Sequence, residues 1–198
     1  MLTSQDDIIE LIEADEWMMQ ILHTAKILAL PDWWICAGFI RAKVWDTLHQ
    51  FTKRTPLPDI DVIYFDPTAT DERQEKIYEK QLHKLHKGVP WSVKNEARMH
   101  RLHQFPPYTS SVDAISKFPE TATAIGVKLD AENNLILAAP HGVTDLLQLH
   151  LKPTPFFSST TERLDIYRSR LSKKNWQLTW NNITVSLIFK TLHATVKN

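Results

Sequence analysis

The stretch Pro58-Asp59-Ile60-Asp61-Val62-Ile63-Tyr64-Phe65 decides the fold. Ile, Val, Tyr and Phe favour a buried strand, because branched and aromatic side chains pack well on a pleated surface. Side chains alternate along a strand, so Asp59 and Asp61 share one face while Ile60 and Val62 take the other. Two carboxylates side by side at the mouth of an apolar strand repel each other. A divalent cation removes that repulsion, and Mg2+ favours carboxylate oxygens together with substrate phosphates. The other reading is a solvated strand entrance, with one Asp closing a loop.

Upstream, Trp33-Trp34-Ile35-Cys36 reads as a short strand that ends at Ala37-Gly38 and opens into an amphipathic helix, Phe39 to Phe51. The unit is strand, small-residue turn, helix, acidic strand. Gly38 has no Cβ, so either a phosphate approaches the backbone at a helix N-terminus or the turn packs closely. Arg41, one helical turn in, faces phosphates, pairs with a carboxylate, or makes a surface salt bridge of little worth.

The N-terminal 1–30 read as a helical extension. Ser4 is a helix cap followed by acidic residues, and a second helix runs from about Asp15 to Leu28. A core follows over 31–150. In it, Thr70–His86 reads as a polar surface or edge helix, Trp91–Lys94 as a third strand and Glu96–His103 as a short helix. Ser110–Phe118 is another short helix, Thr121–Leu129 a strand, Leu135–Ala138 its hairpin partner and Thr144–Leu149 a helical turn. In 151–198, Pro153 and Pro155 mark a loop, and a last helix spans about Thr160–Lys174. Strands separated by helices, then a hairpin, indicate an α/β or α+β layer fold in one domain, its sheet covered mostly on one face.

Composition narrows the function classes. With 23 Lys plus Arg against 23 Asp plus Glu, the net charge is zero, and no bulk field draws the chain to nucleic acid or an anionic membrane. A single cysteine, Cys36, excludes a disulfide framework and a Cys-rich zinc site; a buried thiol in a reducing cytoplasm is expected. The start of the chain lacks the basic and apolar pattern of a signal peptide. No stretch approaches the ~18 apolar residues of a membrane span, the Ile183–Phe189 run being far too short.

Ala37-Gly38-Phe39-Ile40-Arg41, then Trp45-Asp46, then Pro58-Asp59-Ile60-Asp61-Val62 resembles the head of the polymerase-β-type nucleotidyltransferase superfamily, as in the CCA-adding and poly(A)-polymerase heads. Ser92–His100, Pro107–Ser110, Glu120–Val127 and Ala139–Leu146 resemble a smaller bacterial group of nucleotidyltransferase-like proteins, first grouped as a domain of unknown function. The likeness runs from about Leu30 to Trp180. It implies a mixed sheet flanked by helices and transfer of a nucleoside monophosphate from a nucleoside triphosphate to an acceptor. It further implies Mg2+ (or Mn2+) held by Asp59 and Asp61, and a triphosphate cradled by the turn at Gly38 and Phe39 with Arg41 beside it. Glu96 is the candidate third carboxylate. The acceptor is not specified: small molecule, RNA or protein. The helical domains that grip tRNA in the CCA-adding enzymes are not expected here, and CCA addition is not expected either. A transfer-inactive nucleotide-binding protein on the same fold is the alternative, favoured by the neutral charge and by a third strand that carries no carboxylate of its own.

Asn95, Arg98 and His100 cluster after the third strand. They orient nucleotide or acceptor, or else Asn95 caps a helix and the other two are exposed. Tyr108 and Trp91 stack on a base or pack in the core. Asp145 reads as structural. Arg163, Arg168, Arg170, Lys173 and Lys174 make the last helix basic, for a phosphate contact or because a helix C-terminus favours cations.

Overall fold

The computed structural model describes residues 2–186. Two capped helices open it, α1 (Gln5–Glu13) and α2 (Glu16–Lys26). Ser4 Oγ accepts from the Asp7 amide at 3.1 Å and Asp7 Oδ2 accepts from the Ser4 amide at 2.8 Å, closing a capping box; Asp15 Oδ1 accepts from the Met18 amide at 3.1 Å. Ile8, Ile12, Met18, Ile21 and Leu22 form the buried stripe of this pair.

The central elements are β1 (Trp34–Cys36), α3 (Gly38–Leu48), β2 (Ile60–Tyr64), α4 (Glu72–Leu85), β3 (Trp91–Asn95), α5 (Glu96–Leu102) and α6 (Ser111–Ser116). A 3-10 turn at Thr121–Thr123 leads into the hairpin β4 (Gly126–Leu129) and β5 (Leu135–Ala138). The five strands lie in the order β3-β2-β1-β4-β5, parallel between β2 and β3 and antiparallel elsewhere. The register sets Cys36 opposite Asp61, and Asp61 opposite Ser92.

Alternation sorts the two faces as expected. Ile35, Ile60, Val62, Tyr64, Val93 and Val127 enter the main core with α1, α2 and α3. Trp34, Cys36 and Ile63 point the other way, onto Ile115 of α6. Contact there is close: a Cβ on Gly126 would lie 2.9 Å from Ile115 Cδ1 and 3.2 Å from Cys36 Sγ, so any side chain at that point of β4 would make the end of Ile115 shift. Beyond α6 this second face is open, and Asp61 sits on it.

The chain closes with α7 (Thr144–Leu147), β6 (His150–Leu151), α8 (Pro155–Ser158), α9 (Thr161–Lys174), a 3-10 turn at Trp176–Leu178 and β7 (Thr184–Val185), which pairs in parallel with β6. Trp176 and Trp180 fold back edge-on to Trp45 of α3, with ring centroids 5.9 and 5.1 Å away. Part of the Ile183–Phe189 run lies outside the described residues. No helix among the described residues is long and apolar enough to cross a membrane.

Some elements differ from their sequence reading. The expected strand Thr121–Leu129 starts only at Gly126, because the Thr123 amide and hydroxyl both turn back onto Glu120 and coil the segment. The Pro153–Pro155 loop holds α8, whose first turn tolerates Pro155 because that position has no amide partner to lose. Helix α4 is not merely a surface helix: Glu75 and Leu82 are fully buried against β3 and α5.

Candidate active site

Asp59 falls just before β2, exposed, while Asp61 is its second residue and half-buried. Both line a cavity of about 320 Å3, together with Ala37, Gly38 and Arg41. A larger cavity of about 1060 Å3 lies on the β3 side, walled by Ser92, Lys94, Glu96, Tyr108 and Phe157 among others. Ala37, Asp61, Arg170 and Lys174 line both.

The turn before α3 is built for close approach. Ala37 is the N-cap, with φ 54° and ψ −101°, and no side chain caps the helix. A non-glycine residue in that region costs of order 1–3 kcal/mol and persists only where its surroundings impose it. Here the Ala37 amide donates to the Ile125 carbonyl at 3.0 Å and its carbonyl accepts from the Arg41 amide at 2.9 Å. The strain therefore sits on Ala37, not on Gly38. At Gly38 an added Cβ would meet only Arg41 Nη2, at 3.7 Å. The space in front of the first helical turn is left open, facing the partial positive charge of an uncapped N-terminus.

Arg41 is no surface salt bridge. It is 8% exposed, its guanidinium carbon 4.4 Å from the Trp176 ring centroid and 5.2 Å from that of Trp45. Among the described residues its Nε has no hydrogen-bond partner. Burial, and then the like charge of Arg170, lower its pKa to about 10 against the pull of Glu120, Asp59 and Asp61. Phe39 points the opposite way: its ring is buried in the main core, 5.9 Å from Trp17, so only its backbone belongs to the turn.

The carboxylates are electrostatically uneasy. Burial, followed by the charge of Asp59, raises the Asp61 pKa, opposed by a hydrogen bond from Ser92 and by Lys174 and Lys94. Glu96, buried on α5, is pushed up to about 8 by burial and then by Asp61 and Glu75. Among the described residues no three His, Cys, Asp or Glu side chains converge as a metal cluster. The donor set is thus two carboxylates beside a cavity, with like-charge repulsion that a cation would relieve. That suits Mg2+, which keeps water and substrate phosphate oxygens in most of its octahedron. Asp59 and Asp61 would hold it.

Asn95 and Arg98 do not reach either cavity. Asn95 caps α5 through the Ala97 amide at 3.1 Å, and its amide nitrogen donates to the carbonyls of Asp66 and Ala69 at 2.8 and 2.9 Å. Arg98 makes a two-pronged pair with Glu75, at 2.6 and 2.7 Å, and is buried rather than exposed. Both brace the junction of β3, α4 and α5. Trp91 is core, whereas Tyr108 does line the larger cavity. Asp145 binds Lys152 and Thr121 at 2.6 and 2.8 Å, a structural role as expected.

Sequence reading offered Arg170 and Lys174 only as two of the cations of a basic last helix, and it missed the other walls supplied from far along the chain, Trp176 and Trp180. It also missed Asp46, whose carboxylate accepts from Trp180 Nε1 at 2.9 Å and from the Thr55 amide at 2.8 Å. That carboxylate ties the C-terminal segment to the loop that delivers Asp59. The only signals were the basic end of α9 and the Trp45-Asp46 pair.

The model of a family described as nucleotidyltransferase matches residues 23–185. A solved NMR structure, described as revealing a CCA-adding enzyme head domain, is 36% identical with a TM-score of 0.84, over 94% of this chain and 98% of that one. The Thermotoga maritima CCA-adding enzyme complexed with tRNA (12% identity, TM-score 0.55) and a CCA-adding enzyme complex with CTP (11% identity, TM-score 0.57) share the fold over 93% of this chain. This chain spans 43% and 44% of their respective lengths. No curated protein sequence matches significantly.

Proposed function

The chain belongs to the nucleotidyltransferase family, and from that membership we propose that it transfers a nucleoside monophosphate from a nucleoside triphosphate to an acceptor hydroxyl, with Mg2+ or Mn2+. One observation carries this reading: Asp59 and Asp61 line the same small cavity as the uncapped N-terminus of α3. A helix N-terminus favours phosphate, and paired carboxylates favour a hard cation bridging to it. When bound, the cation would neutralise charge on the phosphates and polarise the reacting phosphorus.

The chain's own residues do the rest. The Gly38 turn and Arg41 hold the triphosphate tail in the small cavity. Asp61, common to both cavities, marks the reacting phosphorus, and the acceptor approaches from the larger cavity past Ser92 and Glu96. The acceptor hydroxyl releases its proton to solvent as its oxygen bonds to the α-phosphorus, the bond from that phosphorus to the oxygen bridging it to the β-phosphate breaks, and pyrophosphate departs with that oxygen. Positioning and charge compensation supply most of the rate. Glu96, the candidate third carboxylate, lines the acceptor side.

Titration with the four nucleoside triphosphates, with and without Mg2+, tests the reading, followed by an assay of pyrophosphate release with candidate acceptors. Metal-dependent binding abolished in Asp59→Asn supports it, and absence of any nucleotide binding ends it. Binding with no pyrophosphate release from any acceptor would favour the transfer-inactive alternative. That alternative draws on Glu96, a carboxyl pushed up to about 8 and so mostly protonated near neutrality.

A further inference from the structure

Helix α9 contributes two cations to the small cavity, Arg170 and Lys174, four residues apart and so on one face of the helix. Arg170 is held from behind. Glu120, fully buried, accepts from Arg170 Nε at 2.8 Å and from the Thr123 hydroxyl at 2.7 Å. Among the described residues the terminal amines of Arg170 have no hydrogen bond, and Lys174 has neither a hydrogen bond nor an ion pair. Arg41, buried and with its Nε unpartnered, lies in the same electrostatic neighbourhood. Three cations and an open helix N-terminus therefore surround a cavity whose only carboxylates among the described residues are Asp59 and Asp61. A ligand that satisfies all of them needs several charged oxygens in a row, which a polyphosphate has and a monophosphate lacks.

We propose that Arg170 and Lys174 form a clamp on the outer phosphates of the bound nucleotide and on the pyrophosphate made from it, with Glu120 as the positioning residue that aims Arg170. This rests on the nucleotidyl-transfer reading and extends it: α9 becomes part of the substrate site, and recognition of the phosphate tail is independent of the base. The salt bridge sets the direction of the guanidinium, since Glu120 occupies Nε and leaves the outer edge of the fork for the ligand.

Calorimetric titration of the full chain with sodium pyrophosphate, inorganic tripolyphosphate and each of the four nucleoside triphosphates, all in Mg2+, tests the clamp. We expect all three kinds of ligand to bind, and Lys174→Met and Arg170→Met each to weaken every one about tenfold or more. Lys84→Met, an exposed position on α4, leaves affinities unchanged. Glu120→Gln weakens pyrophosphate binding in the wild-type background but adds nothing to Arg170→Met, a non-additivity that a purely structural glutamate would not show. Should Arg170→Met fail to fold with Glu120 left unpaired, the double variant Glu120→Gln/Arg170→Met and Lys174→Met carry the same test. Wild-type affinity for pyrophosphate in those two variants overturns the clamp. So does nucleotide binding with no binding of pyrophosphate or tripolyphosphate, which leaves the nucleotide reading standing. No binding of any phosphate ligand removes both.

Discussion

Arg41 and Trp176 are far apart in the chain, yet the guanidinium carbon of one lies 4.4 Å from the ring centroid of the other. The contact joins the helix that follows the Gly38 turn to the segment that follows α9, and Trp45 and Trp180 complete the aromatic enclosure. A cation desolvated against aromatic faces gains about 2 kcal/mol or more from the ring quadrupole. Trp176→Ala should lower stability by about 3–5 kcal/mol, from lost packing and the lost cation contact. Trp176→Phe should lose far less, while still weakening nucleotide binding through a looser Arg41. Chemical denaturation of both variants, with nucleotide titration of Trp176→Phe, checks this; equal stability losses in the two would mean that ring size, not the stacked cation, matters.

Asp61 is held in an environment that penalises its charge, through burial first and Asp59 second. Its pKa is raised in the folded state, so above its unfolded value the ionised group costs stability that a neutral amide would not. Asp61→Asn should therefore melt a few degrees higher than wild type in metal-free buffer near pH 7. Mg2+ should raise the wild-type melting temperature and leave that of Asp61→Asn unmoved, because ligands that bind only the folded state stabilise it. A variant that melts lower without metal, or that still responds to Mg2+, would show that the two carboxylates are not a cation site.

The Asp-x-Asp strand was legible because period-two alternation fixes which face each residue takes, and Ile60, Val62 and Ile63 are sorted that way. The Gly38 turn was legible because strand-to-helix punctuation is local. What could not be read is set by distant partners. Nothing near Asn95 or Arg98 announces that Glu75 lies beneath them, so two residues with polar, ligand-like chemistry turned out to brace the fold. The strain at Ala37 was equally hidden, since propensity assigns positive φ to glycine and the neighbour is one. Arg170 and Lys174 read either as a phosphate contact or as the ordinary basic end of a helix, and only the chain's return past Trp176 places them at the cavity.

Because Arg98 is spent on Glu75, its removal should unfold rather than disarm the protein. Glu75 is fully buried, and its other cation, Lys94, lies 3.7 Å away. Breaking one side of a buried pair costs about 3–5 kcal/mol, since the remaining charge is left without compensation. Arg98→Met should lose stability of that order by urea denaturation while nucleotide affinity of the folded fraction stays at the wild-type value. The pair replacement Glu75→Leu/Arg98→Met should recover most of the loss. Weakened nucleotide binding with stability intact would return Arg98 to the site.

Glu96 makes stability depend on pH in an unusual direction. Its folded value is pushed up to about 8 from an ordinary 4.5, chiefly by burial. Below about pH 4.5 the group is protonated in both folded and unfolded chains and costs nothing. Between there and about pH 8 the folded protein keeps a proton that the unfolded chain has released, so stability falls as pH rises, and it levels off once the folded group ionises as well. The sum of that loss is of order a few kcal/mol. Glu96→Gln keeps the shape and removes the titration. Melting temperatures of the two proteins, measured from pH 4.5 to 9, should start together and diverge, with wild type falling further behind the variant until about pH 8. Parallel curves across that range would mean that Glu96 is ionised in the folded protein, and that its carboxylate is balanced by Lys94 and Arg98 more strongly than burial opposes it.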